Sequence, residues 1–272
     1  MTSPSEISVS QLARLIGTPS APTILDVRVA EDLAADPRLI PSSGLCDVAG
    51  VAAWAKEVAG APVVVTCRQG LKLSQGTAAW LRHEGVRAES LEGGFEAWKT
   101  AGLPLVESSK LPARDHQGRT VWVTRARPKI DRIACPWLIR RFVDPKAVFL
   151  FVGASEVLAV ADRFGAAPFD IDGVFWSHRG DRCTFDTMLD EFGLDTVPLR
   201  HLAEIVRGAD TSRHRLAPEA AGLLAISLGY SRSFRDDLEQ LDAAMGVYDA
   251  LYRWCRDATD ETHNWPSAKP AN

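Results

Sequence analysis

An apolar run that leads directly into a cysteine-containing loop, and then into a helix, is the feature of this sequence that most limits its fold. Residues 62–66 have the length and β-branched content of a buried strand, and residues 74–83 have helical spacing. A second strand candidate lies at residues 23–27, with helical spacing at 9–15 and 50–58. Strands that alternate with helices predict a mostly parallel sheet with helices on its faces, an α/β arrangement.

The second half of the chain has a different pattern. Strand candidates at residues 121–124 and 147–152 are followed mainly by segments with helical spacing, at 155–164, 183–192, 198–207, 218–228 and 236–255. This half is therefore predicted to be α+β and mainly helical. The pattern predicts four segments: an α/β domain over 5–106, a polar linker over 107–119, a second domain over 120–256 and a flexible tail over 257–272.

Composition narrows the classes of function. At 272 residues a single core is near its upper size, which favours two domains. No apolar run is long enough for a transmembrane helix and the N-terminus does not resemble a signal peptide, so we expect a cytoplasmic protein with no membrane partner. A net charge of −4, from 31 basic and 35 acidic residues, predicts no nucleic-acid partner. The five cysteines, with no C-x-x-C spacing, are expected to be reduced thiols.

The loop that follows residues 62–66 favours thiolate chemistry at Cys67. A loop that joins a strand to a helix N-terminus presents backbone N–H groups and the positive end of the helix dipole, which stabilise a thiolate and bind oxyanions. Arg68 and Lys72 add positive charge, and Gly70 suits a tight turn. The predicted anion cradle consists of Arg68, Gln69, Gly70, Leu71, Lys72, Leu73 and Ser74.

Together with Leu-Asp-Val-Arg at residues 25–28 and Glu-Gly-Gly-Phe-Glu-Ala-Trp at residues 92–98, this loop resembles the rhodanese family over residues 5–106. The resemblance implies that Cys67 takes sulfane sulfur from a small-molecule donor as a persulfide and passes it to a thiol acceptor, with no cofactor. It also implies that Asp26 and Arg28 support the loop. The alternative is a domain that has lost this activity and serves as an interaction module.

Two departures from the family pattern bear on the substrate. The Gly-His-Ile-Pro-Gly segment of the family is absent at residues 36–43, so this connection is remodelled. The loop has Lys72 in sixth, Leu73 in seventh and Ser74 in eighth position, as if one residue were inserted. A wider ring is expected to accept an oxyanion such as chromate, whereas Leu73 replaces the arginine that related phosphatases use.

A basic segment in the second half offers another candidate anion site. Pro136 suits the first position of a helix, which would make Cys135 its N-cap, close to free N–H groups and to Arg132. In the alternative, Asp131 caps the helix, Cys135 is a small buried apolar residue, and the arginines form a solvated face. The sequence leaves both open.

A second polar cluster suggests a metal. Cys183 and Asp186 share one face of a predicted helix, and His178 lies on the preceding loop, so these three residues could hold a transition metal ion. The spacing matches no established metal motif. The alternative is that Asp186 and Asp190 are exposed charges and that His178 is a loop residue that forms hydrogen bonds.

The second half resembles the C-terminal domain of chromate-resistance proteins of the ChrB type. The resemblance rests on residues 131–142, 169–171, 177–186, 205–210 and 248–252. The sequence thus predicts a rhodanese-type sulfurtransferase acting in the response to chromate or oxyanion stress. The alternatives are a chromate- or metal-responsive sensor and a metal-dependent redox enzyme centred in the second domain, and the oligomeric state stays open.

Overall fold

The computed structural model describes residues 5–58 and 60–261 of the chain. Residues 262–272, most of the predicted flexible tail, lie outside the described residues. The first residue of that predicted tail, Asp257, is the last residue of the C-terminal helix.

The first part of the chain forms a five-stranded sheet in which all strands are parallel. Its strands are β1 (Glu6–Ile7), β2 (Thr23–Asp26), β3 (Ser43–Leu45), β4 (Val63–Thr66) and β5 (Ala88–Leu91), in the spatial order β1-β5-β4-β2-β3. Its helices are α1 (Val9–Leu15), α2 (Ala30–Ala35), α3 (Val51–Trp54), α4 (Lys72–His83) and α5 (Gly94–Thr100). The predicted α/β fold is confirmed.

The strand order creates a crevice at the carboxyl edge of this sheet. From β2 the chain moves outward to β3, whereas from β4 it moves in the opposite direction to β5. The loops that leave β2 and β4 therefore diverge, and ligands bind open parallel sheets at such points. Cys67 is the first residue after β4, and Arg28 is the second residue after β2.

The second part consists of a small sheet and six helices. The strands β6 (Val121–Arg125), β7 (Val148–Val152) and β8 (Ala167–Pro168) are parallel, in the order β7-β6-β8. The helices are α6 (Ile130–Leu138), α7 (Val157–Phe164), α8 (Thr184–Phe192), α9 (Val197–Asp210), α10 (Ala220–Ser233) and α11 (Asp237–Asp257). The mainly helical prediction is confirmed, although β8 was not predicted and the edge strand β7 is only half-buried.

The polar segment at residues 107–119 is an ordered connection. It contains a 3₁₀ turn at Ser108–Lys110, and the N–H of Glu107 donates to the carbonyl of Phe192 at 3.2 Å. One hydrophobic core runs through both parts of the chain, from Trp98 beside the first sheet to Trp122 and Trp137 in the second part. Side chains of the two parts therefore pack against one another in a common core.

Within the described ranges, the helices include none with the length and apolar character needed to cross a bilayer.

Candidate functional site

Cys67 lies directly after β4, at the carboxyl edge of the first sheet, and is 5% exposed. Its sulfur lies 3.2 Å from the hydroxyl oxygen of Ser74, in the first turn of α4. This helix begins at Lys72, two residues before the predicted start at Ser74, so the loop before it comprises residues 67–71. The thiol is thus held between a strand end and a helix N-terminus.

The backbone N–H groups around this thiol have no partners within the part of the chain that the structure describes. Those of residues 68–71 donate no hydrogen bond. Those of Lys72, Leu73 and Ser74 belong to the first turn of α4, where a helix supplies no acceptor. The N–H groups of residues 68–74 and the dipole of α4 are therefore available to an anion.

Asp26 and Arg28, the predicted supports of the loop, form a buried ion pair. The Arg28 Nε donates to the two carboxylate oxygens of Asp26 at 2.8 and 3.1 Å. Its two Nη atoms donate to the carbonyls of Asp36 at 2.9 Å and Arg38 at 2.8 Å, in the remodelled connection. The guanidinium also lies 3.9 Å from the ring centroid of Phe95. This pair joins the end of β2 to the segment after α2 and to α5.

The start of α5 holds the cysteine loop from the other side. The N–H groups of Phe95 and Glu96 donate to the carbonyls of Cys67 and Arg68 at 2.9 and 3.0 Å. Gly94 has φ of +60°, and a Cβ built there would lie 2.3 Å from the Cys67 carbonyl oxygen. The two backbones therefore approach more closely than any side chain allows, which explains the Gly-Gly pair of the sequence motif.

The two predicted cations of the loop differ in how far they are neutralised. Arg68 is 55% exposed and lies 3.3 Å from Asp32 and 3.3 Å from Glu96. Lys72 is exposed and makes no ion pair with any described residue. Lys72 is thus the loop cation that is not neutralised by a neighbouring carboxylate.

A second polar cluster lies in the other part of the chain, around His178. The His178 Nε2 lies 3.4 Å from Asp131, 3.4 Å from Asp170 and 3.3 Å from Asp210. Asp131 stands in the first turn of α6, Asp170 follows β8, Asp210 ends α9, and His178 is in the loop before α8. The nearby carboxylates of Asp131, Asp170 and Asp210, in decreasing order of effect, raise the pKa of His178, and burial raises that of Asp131.

The predicted metal set of His178, Cys183 and Asp186 is not the set that the structure assembles. Cys183 is the N-cap residue of α8, and its N–H donates to the Asp186 carboxylate at 3.1 Å. The other oxygen of Asp186 accepts from Arg207 at 2.8 Å. Asp186 therefore caps a helix and balances an arginine, while His178 pairs with three carboxylates from other segments.

The predicted anion site at Cys135 is also wrong. Cys135 is the sixth residue of α6, whose N-cap is Lys129, so neither Cys135 nor Asp131 caps this helix. The thiol is fully buried, and burial raises its pKa well above the usual range. Arg132 is paired with Asp170 at 3.2 Å rather than open to an anion. Cys135 is a small buried apolar residue, as the alternative reading held.

These environments predict which thiols react. Burial raises the pKa of Cys135, Cys183 and Cys255, in the last case to about 12 from 9.0. A rise of that size lowers the thiolate fraction at neutral pH about a thousandfold. In a Cys46→Ser chain treated with iodoacetamide at pH 7.5, mass spectrometry is expected to find Cys67 modified before these three. Earlier labelling of Cys135 or Cys183 would contradict this order. As a control, iodoacetamide is expected to modify all four remaining cysteines when the chain is unfolded in urea.

Parts of this chain are similar to known proteins. A model of the rhodanese-like domain matches residues 8–101. A rhodanese-related protein from Thermoplasma volcanium is 24% identical, with 37% of this chain and 96% of that one covered and a TM-score of 0.33. A thiosulfate sulfurtransferase from Pseudomonas aeruginosa is 27% identical over 37% of this chain and 19% of that one, with a TM-score of 0.33. The first part of the chain is a rhodanese-like domain.

The second part matches a model of the C-terminal domain of ChrB over residues 122–255. Protein ChrB of Cupriavidus metallidurans is 38% identical over 155 residues, which cover 56% of this chain and 46% of that protein. The chain therefore spans about half the length of this curated relative. It is a fusion of a rhodanese-like domain with a ChrB C-terminal domain.

Two members of the His178 cluster were not among the predicted site residues. Asp170 and Asp210 come from segments far apart in sequence, and neither has a spacing to His178 that indicates a site. Both nevertheless lie in stretches that carry the ChrB resemblance, residues 169–171 and 205–210. The polar residues within these stretches were the signal that could have found them.

Proposed function

We propose that this protein is a sulfurtransferase in which Cys67 carries a sulfane sulfur atom as a persulfide. The observation that supports this most strongly is that the Cys67 thiol, 3.2 Å from the Ser74 hydroxyl, begins a loop whose N–H groups at residues 68–74 have no partner among the described residues. These donors stabilise a thiolate and bind the oxygens of an anionic sulfur donor. Lys72 adds a positive charge at the same helix start.

With thiosulfate as donor, persulfide formation on Cys67 needs no external oxidant. The Cys67 thiolate attacks the outer sulfur of thiosulfate, the S–S bond of the donor breaks, and sulfite leaves with the bonding electron pair. The resulting persulfide anion is held near the same N–H groups. A nucleophilic acceptor such as cyanide or a thiol then attacks the outer sulfur, and the Cys67 thiolate leaves.

The fusion to a ChrB C-terminal domain favours a role in the response to chromate. Chromate and thiosulfate are both tetrahedral dianions, so an N–H cradle that accepts one suits the other in shape and charge. We therefore expect chromate to compete with thiosulfate at the Cys67 loop. Steady-state kinetics of thiosulfate consumption at several chromate concentrations, with sulfate as a matched dianion, measure this competition.

The test of the proposal is thiocyanate formation from thiosulfate and cyanide by the full chain. Cys67→Ser is expected to lower the rate by at least about a thousandfold, because the nucleophile is lost, whereas Cys46→Ser keeps it. Mass spectrometry after thiosulfate alone is expected to show one added sulfur atom on Cys67. A folded chain that forms neither persulfide nor thiocyanate would overturn the proposal and favour an interaction module.

A further inference from the structure

The His178 cluster contains more acceptors than its single proton can satisfy. A neutral or protonated imidazole has at most one hydrogen on Nε2, yet oxygens of Asp131, Asp170 and Asp210 all lie 3.3–3.4 Å from that atom. One N–H group can donate a good hydrogen bond to only one of them. The arrangement of one nitrogen and three oxygens is therefore not explained by hydrogen bonding to His178 alone.

The same distances match the edges of a metal coordination polyhedron. Bonds of about 2.0–2.2 Å from a first-row metal ion to imidazole nitrogen or carboxylate oxygen place two tetrahedral ligands about 3.3–3.6 Å apart. The separations from His178 to the three carboxylates fall within or next to this range. Ligand atoms of Asp131, Asp170 and His178 all lie within 4.8 Å of one another.

A buried oxygen without a partner lies in the same cluster. The Asp131 side chain is fully buried, and its Oδ1 has no hydrogen-bond donor among the described residues. Leaving a buried carboxylate oxygen unpaired is costly unless a cation lies beside it. The Asp131 Oδ2 faces His178, so a metal ion that binds this carboxylate through both oxygens would supply the partner of Oδ1.

The surrounding residues already hold the carboxylates in place. Thr184 donates its N–H to Asp131 at 2.6 Å and its hydroxyl to Asp170 at 2.9 Å. Arg132 lies 3.2 Å from the other oxygen of Asp170. Outer contacts of this kind orient the ligands of metal sites and offset their negative charge.

The position in the fold is one where ligands bind. Asp170 is the second residue after β8, and Asp131 lies in the helix that follows β6, so both stand at the carboxyl edge of the second sheet. His178 is 41% exposed and Asp210 21% exposed, whereas Asp131 is buried. The cluster is therefore anchored on one side and open to an entering ion on the other.

We propose that Asp131, Asp170, His178 and Asp210 bind one divalent transition-metal ion in the ChrB C-terminal domain. Three carboxylates with one imidazole suit Mn²⁺, Fe²⁺ or Zn²⁺, and the absence of a thiolate ligand disfavours Cu⁺. Cys183 and Cys135 stay outside the proposed ligand set, because both are buried thiols with raised pKa values. This site is separate from Cys67 and its test does not depend on sulfur transfer.

The test uses the full, tag-free chain and Mn²⁺ or Zn²⁺ as the probe. After equilibration and dialysis, elemental analysis is expected to find about one ion per chain. Electron spin-echo spectroscopy of the Mn²⁺ form is expected to show coupling to one imidazole nitrogen. His178→Ala and Asp210→Asn are expected to weaken Mn²⁺ binding by at least about tenfold, and the first to abolish the nitrogen coupling.

Matched controls separate this site from general surface binding. His214→Ala removes an exposed histidine of the same domain, and Asp181→Asn removes a carboxylate that is 93% exposed. Both are expected to keep the stoichiometry and the nitrogen coupling. Because His178 and Asp210 lie on the open side, their variants should fold, which circular dichroism checks. Binding well below one ion per chain, or an unchanged nitrogen coupling in His178→Ala, would overturn the proposal.

Discussion

Replacing Arg28 by Met is expected to lower the free energy of unfolding by about 3–5 kcal/mol, because it leaves the buried Asp26 carboxylate without its cation. Both side chains are at most 1% exposed, so water cannot replace the lost partner. The carbonyls of Asp36 and Arg38 lose their donors as well. Methionine keeps most of the aliphatic length of arginine. The decrease in unfolding free energy therefore comes from the lost charge and hydrogen bonds and not from a cavity. Urea unfolding followed by circular dichroism measures it.

Arg38→Met is the matched control for this change. Arg38 pairs with Asp36 at 2.7 Å, but its side chain is 34% exposed, so the expected loss is below about 1 kcal/mol. This pair, with Lys99, keeps the pKa of Asp36 well below its usual range. If Arg28→Met were as mild as Arg38→Met, the buried Asp26–Arg28 pair would not stabilise the fold as its burial indicates.

The cysteine loop was predictable from sequence because its parts are neighbours along the chain. The strand, the thiol and the helix start all lie within residues 62–83, so local patterns report them together. Asp26 and Arg28 were likewise two residues apart and were assigned a supporting role. The sequence did not predict the close approach of Gly94 to the Cys67 carbonyl, because this contact depends on how α5 packs against the loop.

The second domain shows where such patterns fail. The spacing of Cys183 and Asp186 reported a real contact, but that contact is a helix cap and not a metal site. The His178 cluster draws its members from four separate segments, which only tertiary packing brings together. Helical periodicity identifies neighbours on one helix and carries no information about ligands from different elements.

The two predicted domains are in direct contact. Composition and polarity predicted a linker, and family comparisons place separate domain matches on either side of it. Yet a Cβ at Gly17 would lie 2.3 Å from the ring of Phe142, and the N–H of Ser42 donates to the Phe142 carbonyl at 2.7 Å. Because these contacts and the shared core join the two parts, unfolding of one part is expected to affect the other.

Gly94→Ala is expected to disrupt the cysteine loop itself. The new Cβ would lie 2.3 Å from the Cys67 carbonyl oxygen and 2.3 Å from the Gly70 nitrogen, both backbone atoms that cannot rotate away. We expect a loss of roughly 2–5 kcal/mol of unfolding free energy, from overpacking together with the cost of a left-handed conformation. Because the loop must shift to relieve the contact, the rate of Cys67 alkylation and any thiocyanate formation are expected to change with it.

Gly102→Ala separates the two contributions, since Gly102 lies just after the same helix with φ of +68° and has no atom within 4 Å of a built Cβ. This variant carries the conformational cost alone, about 1–2 kcal/mol, and is expected to keep the Cys67 alkylation rate. Unfolding curves and alkylation rates for both variants give the comparison. Equal values in the two would mean that the close approach of α5 does not set the geometry of the thiol. A larger loss in Gly94→Ala, with altered alkylation, would instead assign the positioning of Cys67 to the backbone at the start of α5.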